Sequence, residues 1–268
     1  RSNAVWGIDL QSTVSRPIIF EGTGLHKGLC SKLVVLPANI DSGICFKRID
    51  VKAGNKFIPA VLDNVVESEL CTRLANSDGV SVSTIEHLMA ALTGCGINNA
   101  LLEIDGPEVP ILDGSALAFV KEILKTGIKL QQKSLKAVRI LKTVKHNQGM
   151  AWAKFEPSTN PKMSFSIEFS DAAIGTQSKT LDMSNGSFVR ELCDSRTFCR
   201  YSEVEAMRSK GLALGGSFEN AVVVDGKNVL SPGGLRHSDE PVRHKMLDAL
   251  GDIALAGYPI IGHYVGYR

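Results

Sequence analysis

The fold is decided by the stretch Pro241-Val242-Arg243-His244-Lys245-Met246-Leu247-Asp248-Ala249-Leu250-Gly251-Asp252 of the 268-residue chain. An α-helix turns by about 100° per residue, so this stretch separates an apolar side from a side of acid and imidazole groups. The apolar side carries Met246, Leu247, Leu250, Ile253 and Ala254, and the polar side carries His244, Lys245, Asp248 and Asp252. His244 and Asp248 lie one turn apart, so both can reach one metal ion, although i,i+4 pairs of this kind also occur as ordinary surface ion pairs.

The stretch Ser83-Thr84-Ile85-Glu86-His87-Leu88-Met89-Ala90-Ala91-Leu92-Thr93-Gly94 predicts a second helix of the same design. Ser83 and Glu86 have the spacing of a capping box, and Gly94 suits a helix C-terminus. Glu86 and His87 fall opposite the apolar face. Two simpler interpretations remain open, because Glu86 could only cap the backbone and His87 could be an exposed helical residue. The helix lacks the HExxH motif of the common zinc proteases.

Short strand patterns separated by turns precede both helices. They cover 17–20, 32–36, 43–49, 57–62, 71–75 and 100–104, and then 137–145, 150–156, 163–169 and 220–224. Further helices are predicted at 116–125 and 202–209, and the polar run 131–134 is a candidate linker. We therefore predict an α+β fold of two similar domains, 1–132 and 133–268, as after an internal duplication. Each domain is a β-sheet layer packed on helices, and the helices of the two domains face each other across a site.

Composition argues against several classes of function. The net charge is only +2, and basic residues do not cluster with aromatic residues, so we expect no nucleic-acid partner. No stretch approaches the roughly 20 apolar residues of a transmembrane helix, and the start at Arg1–Ala4 does not have the pattern of a signal peptide. Six cysteines without a CxxC pair are typical of reduced thiols, which predicts a cytoplasmic location.

Two glycine-containing loops carry candidate binding residues. The predicted hairpin turn 22–28 holds His26, whose ring could equally satisfy nearby backbone groups. The loop 211–217 permits close approach of a ligand to the backbone, but it could also be a plain connection. A phosphate loop of a small-molecule kinase is the weaker enzymatic alternative, because the Lys-Ser/Thr partner of such loops is absent.

Five motifs together resemble the bacterial UDP-3-O-acyl-N-acetylglucosamine deacetylases, zinc hydrolases that perform the committed step of lipid A synthesis. The motifs are Ser83-Thr84-Ile85-Glu86-His87-Leu88, Pro110-Ile111-Leu112-Asp113-Gly114-Ser115, Arg196-Thr197-Phe198, Gly215-Gly216-Ser217-Phe218 and the stretch 242–252. They follow the order of the family and span about Ile18 to Arg268, which makes the resemblance more specific than any single match.

The resemblance implies a metal site formed by His87, His244 and Asp248. The implied ion is Zn²⁺, and Fe²⁺ is an alternative because two imidazoles and a carboxylate accept either ion. Three protein ligands leave one position for water, whose pKa zinc lowers towards about 7. Glu86, beside a ligand, is then the expected general base.

The resemblance also implies the substrate, UDP-3-O-acyl-N-acetylglucosamine, which loses acetate from its 2-acetamido group. Thr197 is expected to stabilise the oxyanion, and Lys245 is expected to meet negative charge on the diphosphate and near the reacting centre. The other candidate substrate-binding residues are Phe169 against the uracil, Phe198, Ala213 and Gly216 along an apolar passage for the acyl chain, and His26. We expect a monomer.

One departure from the family concerns the C-terminal end. There the family continues into a Gly-His pair whose histidine is the general acid, whereas this sequence stops at Arg268. His263 is not expected to replace that histidine, and Asp252 matches the carboxylate that orients it. We therefore expect a missing C-terminal end, and strongly impaired turnover of the polypeptide as it stands. The main alternative function is a catalytically silent protein that binds UDP-sugars or acyl chains.

Overall fold

The computed structural model describes residues 10–184 and 186–268, so the predicted features at Arg1–Ala4 lie outside the described residues. Within the described residues, no helix combines the length and the apolar character that crossing a membrane requires.

The regular elements of the first half surround one helix of the site. They are β1 (Leu10–Val14), β2 (Ile18–Thr23), β3 (Cys30–Pro37), β4 (Ile44–Arg48), β5 (Phe57–Pro59), β6 (Val65–Val66), β7 (Arg73–Ala75), β8 (Ser81–Ser83), α1 (Glu86–Gly94), β9 (Ala100–Ile104), α2 (Leu117–Thr126) and β10 (Ile128–Ser134). A 3₁₀ turn covers Leu62–Asn64.

The second half contains the other helix of the site. Its elements are β11 (Val138–Arg139), β12 (Val144–Gln148), β13 (Ala151–Glu156), β14 (Lys162–Glu168), β15 (Thr176–Asp182), β16 (Phe198–Arg200), α3 (Tyr201–Ser209), β17 (Val222–Asp225), β18 (Asn228–Val229), α4 (Glu240–Ile253), β19 (Ile260–Ile261) and β20 (His263–Tyr267). A π-helical turn covers Phe188–Leu192, and a 3₁₀ turn covers Ala254–Ala256.

Two five-stranded sheets have the same topology. Their strand orders are β2-β3-β9-β4-β5 and β12-β13-β20-β14-β15. In the first sheet, β9 runs antiparallel to β3 and parallel to β4. In the second, β20 is likewise antiparallel to β13 and parallel to β14. Because α1 precedes β9 and α4 precedes β20, the two helices are equivalent, and the predicted repeat is present in the topology.

The equivalent helices α1 and α4 pack directly against each other, as the α+β prediction required. Leu88 and Leu92 of α1 and Leu247 and Leu250 of α4 are buried in one hydrophobic core. The two backbones approach closely at Gly251, because a Cβ atom there would lie 2.1 Å from the carbonyl oxygen of Glu86. This contact sets the distance between the site residues on the two helices.

The predicted linker 131–134 is wrong, because these residues lie in β10. That strand pairs antiparallel with β1, and Ile128 is the partner of Val14. The polar side chains have partners at this position, since Gln131 accepts a hydrogen bond from Asn99 at 2.8 Å. Residues 131–134 are polar because the two-stranded ribbon buries little apolar surface, and their polarity does not indicate a flexible linker. The division into domains 1–132 and 133–268 stays a prediction.

The predicted capping box of α1 is also wrong. The helix begins at Glu86 after Ile85, which gives no side-chain cap, while Ser83 belongs to β8. The chain turns sharply between strand and helix at Thr84, whose φ of 58° lies in the left-handed region. Glu86 and His87 are both buried, so His87 is not an exposed helical residue.

Candidate active site

Two imidazoles and one carboxylate converge where α1 meets α4. Nε2 of His87 lies 2.8 Å from Nε2 of His244. Oδ1 of Asp248 lies 3.2 Å from the His87 nitrogen and 3.3 Å from the His244 nitrogen. The three side chains could hold one metal ion, because their ligand atoms lie within 4.8 Å of one another. The helical spacing of His244 and Asp248 and the contact between the helices together produce this cluster.

The chemistry of the cluster fits a cation. Within the described residues, Oδ1 of Asp248 is buried and has no hydrogen-bond partner, which is costly for a carboxylate oxygen. Burial lowers the pKa of His244 to about 4, so the neutral imidazole that can ligate a metal is the form present near neutral pH. Burial would raise the pKa of Asp248, but the neighbouring His244 and His87 outweigh it and lower this pKa.

Thr72 holds two further carboxylates beside the cluster. Its backbone N–H donates to Oε2 of Glu86 at 3.2 Å, and its hydroxyl donates to Oδ1 of Asp252 at 2.6 Å. Burial, and then the charge of Asp248, raise the pKa of Glu86 well above its ordinary value. Although Asp252 is accessible from the adjoining cavity, desolvation there raises its pKa to about 6. The site therefore combines carboxyl groups that protonate in different pH ranges.

A cavity of about 860 Å³ begins at this cluster. It is lined by Glu86, Thr197, Lys245 and Asp252 and by the remaining predicted binding residues His26, Phe169, Phe198, Ala213 and Gly216. The ligand-cluster residues His244 and Asp248 line the same cavity. The structure thus brings together, around one cavity, residues that are far apart in the sequence.

Aromatic rings connect the cluster to the apolar part of the cavity. The ring of Phe198 meets that of His244 edge to face, with centroids 6.1 Å apart. On its other side Phe198 meets Phe169 at 5.6 Å. Apolar side chains continue the wall through Val204, Met207 and Val223. A chain of methylene groups could lie along this surface without leaving polar groups unpaired.

The two predicted loops meet in the wall of the cavity. Nδ1 of His26 accepts a hydrogen bond from the backbone N–H of Ala213 at 3.2 Å. The backbone N–H of Gly215 donates to the carbonyl oxygen of Leu25 at 2.9 Å. Within the described residues, Nε2 of His26 is buried without a hydrogen-bond partner. His26 therefore joins the turn 22–28 to the loop 211–217, which the sequence presented as separate features.

His263 lies away from the described lining of the cavity. It belongs to β20, and its Nε2 is 2.7 Å from the hydroxyl of Ser164 on β14. Its Nδ1 lies 3.8 Å from the carboxylate of Glu156. This placement agrees with the expectation that His263 is a strand residue.

Sequence reasoning missed Thr72 and the buried pair of Arg196 and Glu240. Thr72 gave no signal beyond its place at a predicted strand, because its two acceptors lie on other elements. Nε of Arg196 donates to Glu240 at 2.9 Å, and both side chains are buried. Since Thr197 follows Arg196 and Glu240 begins α4, this ion pair fixes Thr197 relative to the helix that carries His244.

Comparisons with known proteins agree with this geometry. The family model described as LpxC, UDP-3-O-acyl N-acetylglycosamine deacetylase, matches residues 11–268. A UDP-3-O-acyl-N-acetylglucosamine deacetylase of Phenylobacterium zucineum is 46% identical over 256 residues, which are 96% of this chain and 87% of that protein. A protein of the same name from Geobacter sp. is 47% identical over 94% of this chain and 82% of its own length. Another from Shewanella pealeana is 43% identical over 96% of this chain and 85% of its own length.

Proposed function

The chain belongs to the UDP-3-O-acyl N-acetylglycosamine deacetylase family, and on that premise we propose that it hydrolyses the 2-acetamido group of UDP-3-O-acyl-N-acetylglucosamine. The products are the free amine and acetate, and the reaction is the committed step of lipid A biosynthesis. The observation that carries the proposal is the convergence of His87, His244 and Asp248 beside a largely apolar cavity of about 860 Å³.

A metal ion fits the three converging side chains, and we propose Zn²⁺ as that ion. The imidazoles of His87 and His244 and the unpartnered oxygen of Asp248 are the groups that would hold it. Zinc, when bound, supplies Lewis acidity that acidifies water and polarises a carbonyl oxygen. Fe²⁺ would accept the same donors, so metal analysis must separate the two ions.

Glu86 is the proposed general base. It adjoins His87 in sequence and lines the same cavity, so its carboxylate can take a proton from water near the scissile amide. The backbone N–H of Thr72 orients this carboxylate. Asp252 shares Thr72 with Glu86 and is proposed to orient a proton donor on the same side of the cavity.

Thr197 and Lys245 are proposed to meet the charge that develops on the substrate. Both line the cavity close to the cluster, and Arg196 anchors Thr197 through its ion pair with Glu240. A hydroxyl and an ammonium group fixed in advance can stabilise an oxyanion without reorganising during the reaction.

The apolar part of the cavity is the proposed passage for the 3-O-acyl chain. Phe198, Ala213, Gly216 and His26 form its wall, while Phe169 is proposed to pack against the uracil. The reduced turnover expected from the sequence stays a prediction, as do the monomeric state and the cytoplasmic location.

Metal content and acetate release test the proposal together. We expect about one zinc or iron per chain in the parent and almost none in His244→Ala, measured by elemental analysis of protein purified without chelator. His263→Ala is the matched control, because it removes an imidazole from β20 and should retain the metal. Acetate release should follow metal content in all three proteins. A well-folded parent without metal would refute the metal-dependent mechanism, and a metal-loaded parent that releases no acetate would favour a binding protein.

A further inference from the structure

Glu108 is a buried carboxylate that the proposed mechanism does not use. The residue is only 2% exposed. Its Oε1 accepts a hydrogen bond from the backbone N–H of Lys27 at 2.9 Å. Its Oε2 accepts one from the backbone N–H of His26 at 3.0 Å and one from the hydroxyl of Thr84 at 2.6 Å. Two main-chain amides and one hydroxyl therefore compensate for the burial of this carboxylate.

These hydrogen bonds connect a turn in the cavity wall to the start of α1. Thr84 lies two residues before Glu86 and adopts the left-handed conformation that starts α1. His26 and Leu25, on the other side of Glu108, line the cavity. The turn that carries them also docks on the loop of Ala213, since the backbone N–H of Ala213 donates to His26. Glu108 thus ties the apolar wall to the start of the helix that carries the proposed base.

The turn is built closely around the carboxylate. A Cβ atom at Gly24 would lie 2.3 Å from Oε1 of Glu108, so only glycine allows the turn to close at this distance. The opposing loop comes equally close, because a Cβ atom at Gly215 would lie 2.1 Å from the carbonyl oxygen of Gly24. A shift of the turn 24–28 would therefore be passed on to the loop 211–217, and with it to both sides of the passage.

We propose that Glu108 is a positioning residue that fixes the wall of the acyl passage and thereby sets the selectivity for acyl-chain length. This inference rests on the proposed function for the identity of the chain that fills the passage. Without the carboxylate, the amides of His26 and Lys27 lose their acceptor, and the turn is held less firmly, by its remaining bonds from Ala213 and Gly215. A long acyl chain covers more of this wall than a short chain, so on binding it must order more of the wall and loses more affinity.

The test compares substrates that differ only in acyl length. The measured quantity is the ratio of kcat/KM for UDP-3-O-dodecanoyl-N-acetylglucosamine to that for the butanoyl analogue, with metal-loaded protein. We expect this ratio to fall about tenfold or more in Glu108→Ala, since hydrogen bonds to a charged group are lost. Glu108→Gln keeps the shape of the side chain and should also lower the ratio. This variant tests the proposal even if Glu108→Ala does not fold.

Ser31→Ala is the matched control. The hydroxyl of Ser31 donates to the main-chain carbonyl of Glu108 at 2.9 Å, so this variant loosens the same loop and leaves the carboxylate intact. It should keep the parent ratio. An unchanged ratio in the Glu108 variants would overturn the proposal. If kcat/KM falls equally for both substrates, the role of Glu108 is purely structural, and if neither value falls, Glu108 has no role.

A binding measurement separates this inference from the proposed function. Dissociation constants of dodecanoate and butanoate for the parent, Glu108→Ala, Glu108→Gln and Ser31→Ala require no turnover. If the parent releases no acetate, the proposed function fails. A positioning role would still be supported if the two Glu108 variants bind dodecanoate about tenfold more weakly than the parent and Ser31→Ala. Equal dodecanoate affinities in the four proteins would overturn that role.

Discussion

Replacing Gly251 by alanine should weaken metal binding although Gly251 contributes no ligand. The new methyl group would lie 2.1 Å from the carbonyl oxygen of Glu86, whereas ordinary contact begins at 3.4 Å. The opposing atom belongs to the backbone of α1, so α1 and α4 must separate by about 1.3 Å at this point, a distance much larger than the roughly 0.2 Å tolerance of metal–ligand bonds. Because His87 follows Glu86, this separation would move it away from His244 and Asp248.

The expected loss of zinc affinity is about 10- to 100-fold, the usual cost of disturbing groups that orient ligands. A competition titration with a chromophoric chelator measures it. The free energy of unfolding of the metal-free protein should change less than the free energy of zinc binding. Overpacking destabilises the fold by about 1–3 kcal/mol, but replacing a helical glycine by alanine stabilises the helix by about 1 kcal/mol.

Gly94→Ala is the matched control for Gly251→Ala. A Cβ atom at this last residue of α1 would lie 2.1 Å from Cδ1 of Phe188, a side-chain atom at the end of the helix remote from His87. This variant should lose stability and keep the zinc affinity of the parent. If Gly251→Ala binds zinc as tightly as the parent, the contact between the helices does not set the ligand geometry.

Three further predictions concern the surroundings of the site. Burial opposes ionisation of Glu240, but hydrogen bonds from Arg196 outweigh it and lower the pKa of this carboxyl group. The ionised carboxylate therefore stabilises the folded state fully at pH values above its ordinary pKa near 4.5. This stabilisation is lost as the pH falls through the lower pKa of the folded state. Glu240→Gln should therefore lower the free energy of unfolding by about 3 kcal/mol near pH 7 and by much less near pH 3 in urea titrations, and a pH-independent difference would contradict this origin. Leu92→Ala should cost about 2–5 kcal/mol in the same assay, because Leu92 is fully buried beside α4, and a cost well below that range would mean that the core collapses around the gap. Thr72→Val removes the hydroxyl that lowers the pKa of Asp252, so the carboxyl resonance of Asp252 should titrate above about 6 in NMR spectra, and an unchanged titration would show that the hydroxyl bond is not formed.

The helices of the site could be predicted from the sequence because each has a complete apolar face. The period of Met246, Leu247 and Leu250 identified the buried side of α4, and these residues are buried in the core. The family motifs then singled out His87 and His244 as partners, and the two imidazoles lie in contact. Local periodicity and motif order were sufficient here, since both are properties of short stretches of chain.

Contacts between distant segments could not be predicted in the same way. The bond between Thr72 and Asp252 joins residues 180 positions apart, and neither residue carries a local sign of the other. Glu108 carries no local sign of its role, because its partners are mainly backbone amides, which every sequence offers. The strand β10 escaped detection for a different reason, since its polar side chains do not show the apolar alternation on which strand prediction depends.

The equivalence of α1 and α4 has a consequence for assembly. The donors of the His87, His244 and Asp248 cluster are divided between the two repeats, one on α1 and two on α4. An ion held by all three would bridge residues 157 positions apart in the chain, and so would act as a removable cross-link between the repeats. Metal retention then reports whether the repeats are docked, and a chelator should expose their junction to proteases before either sheet unfolds.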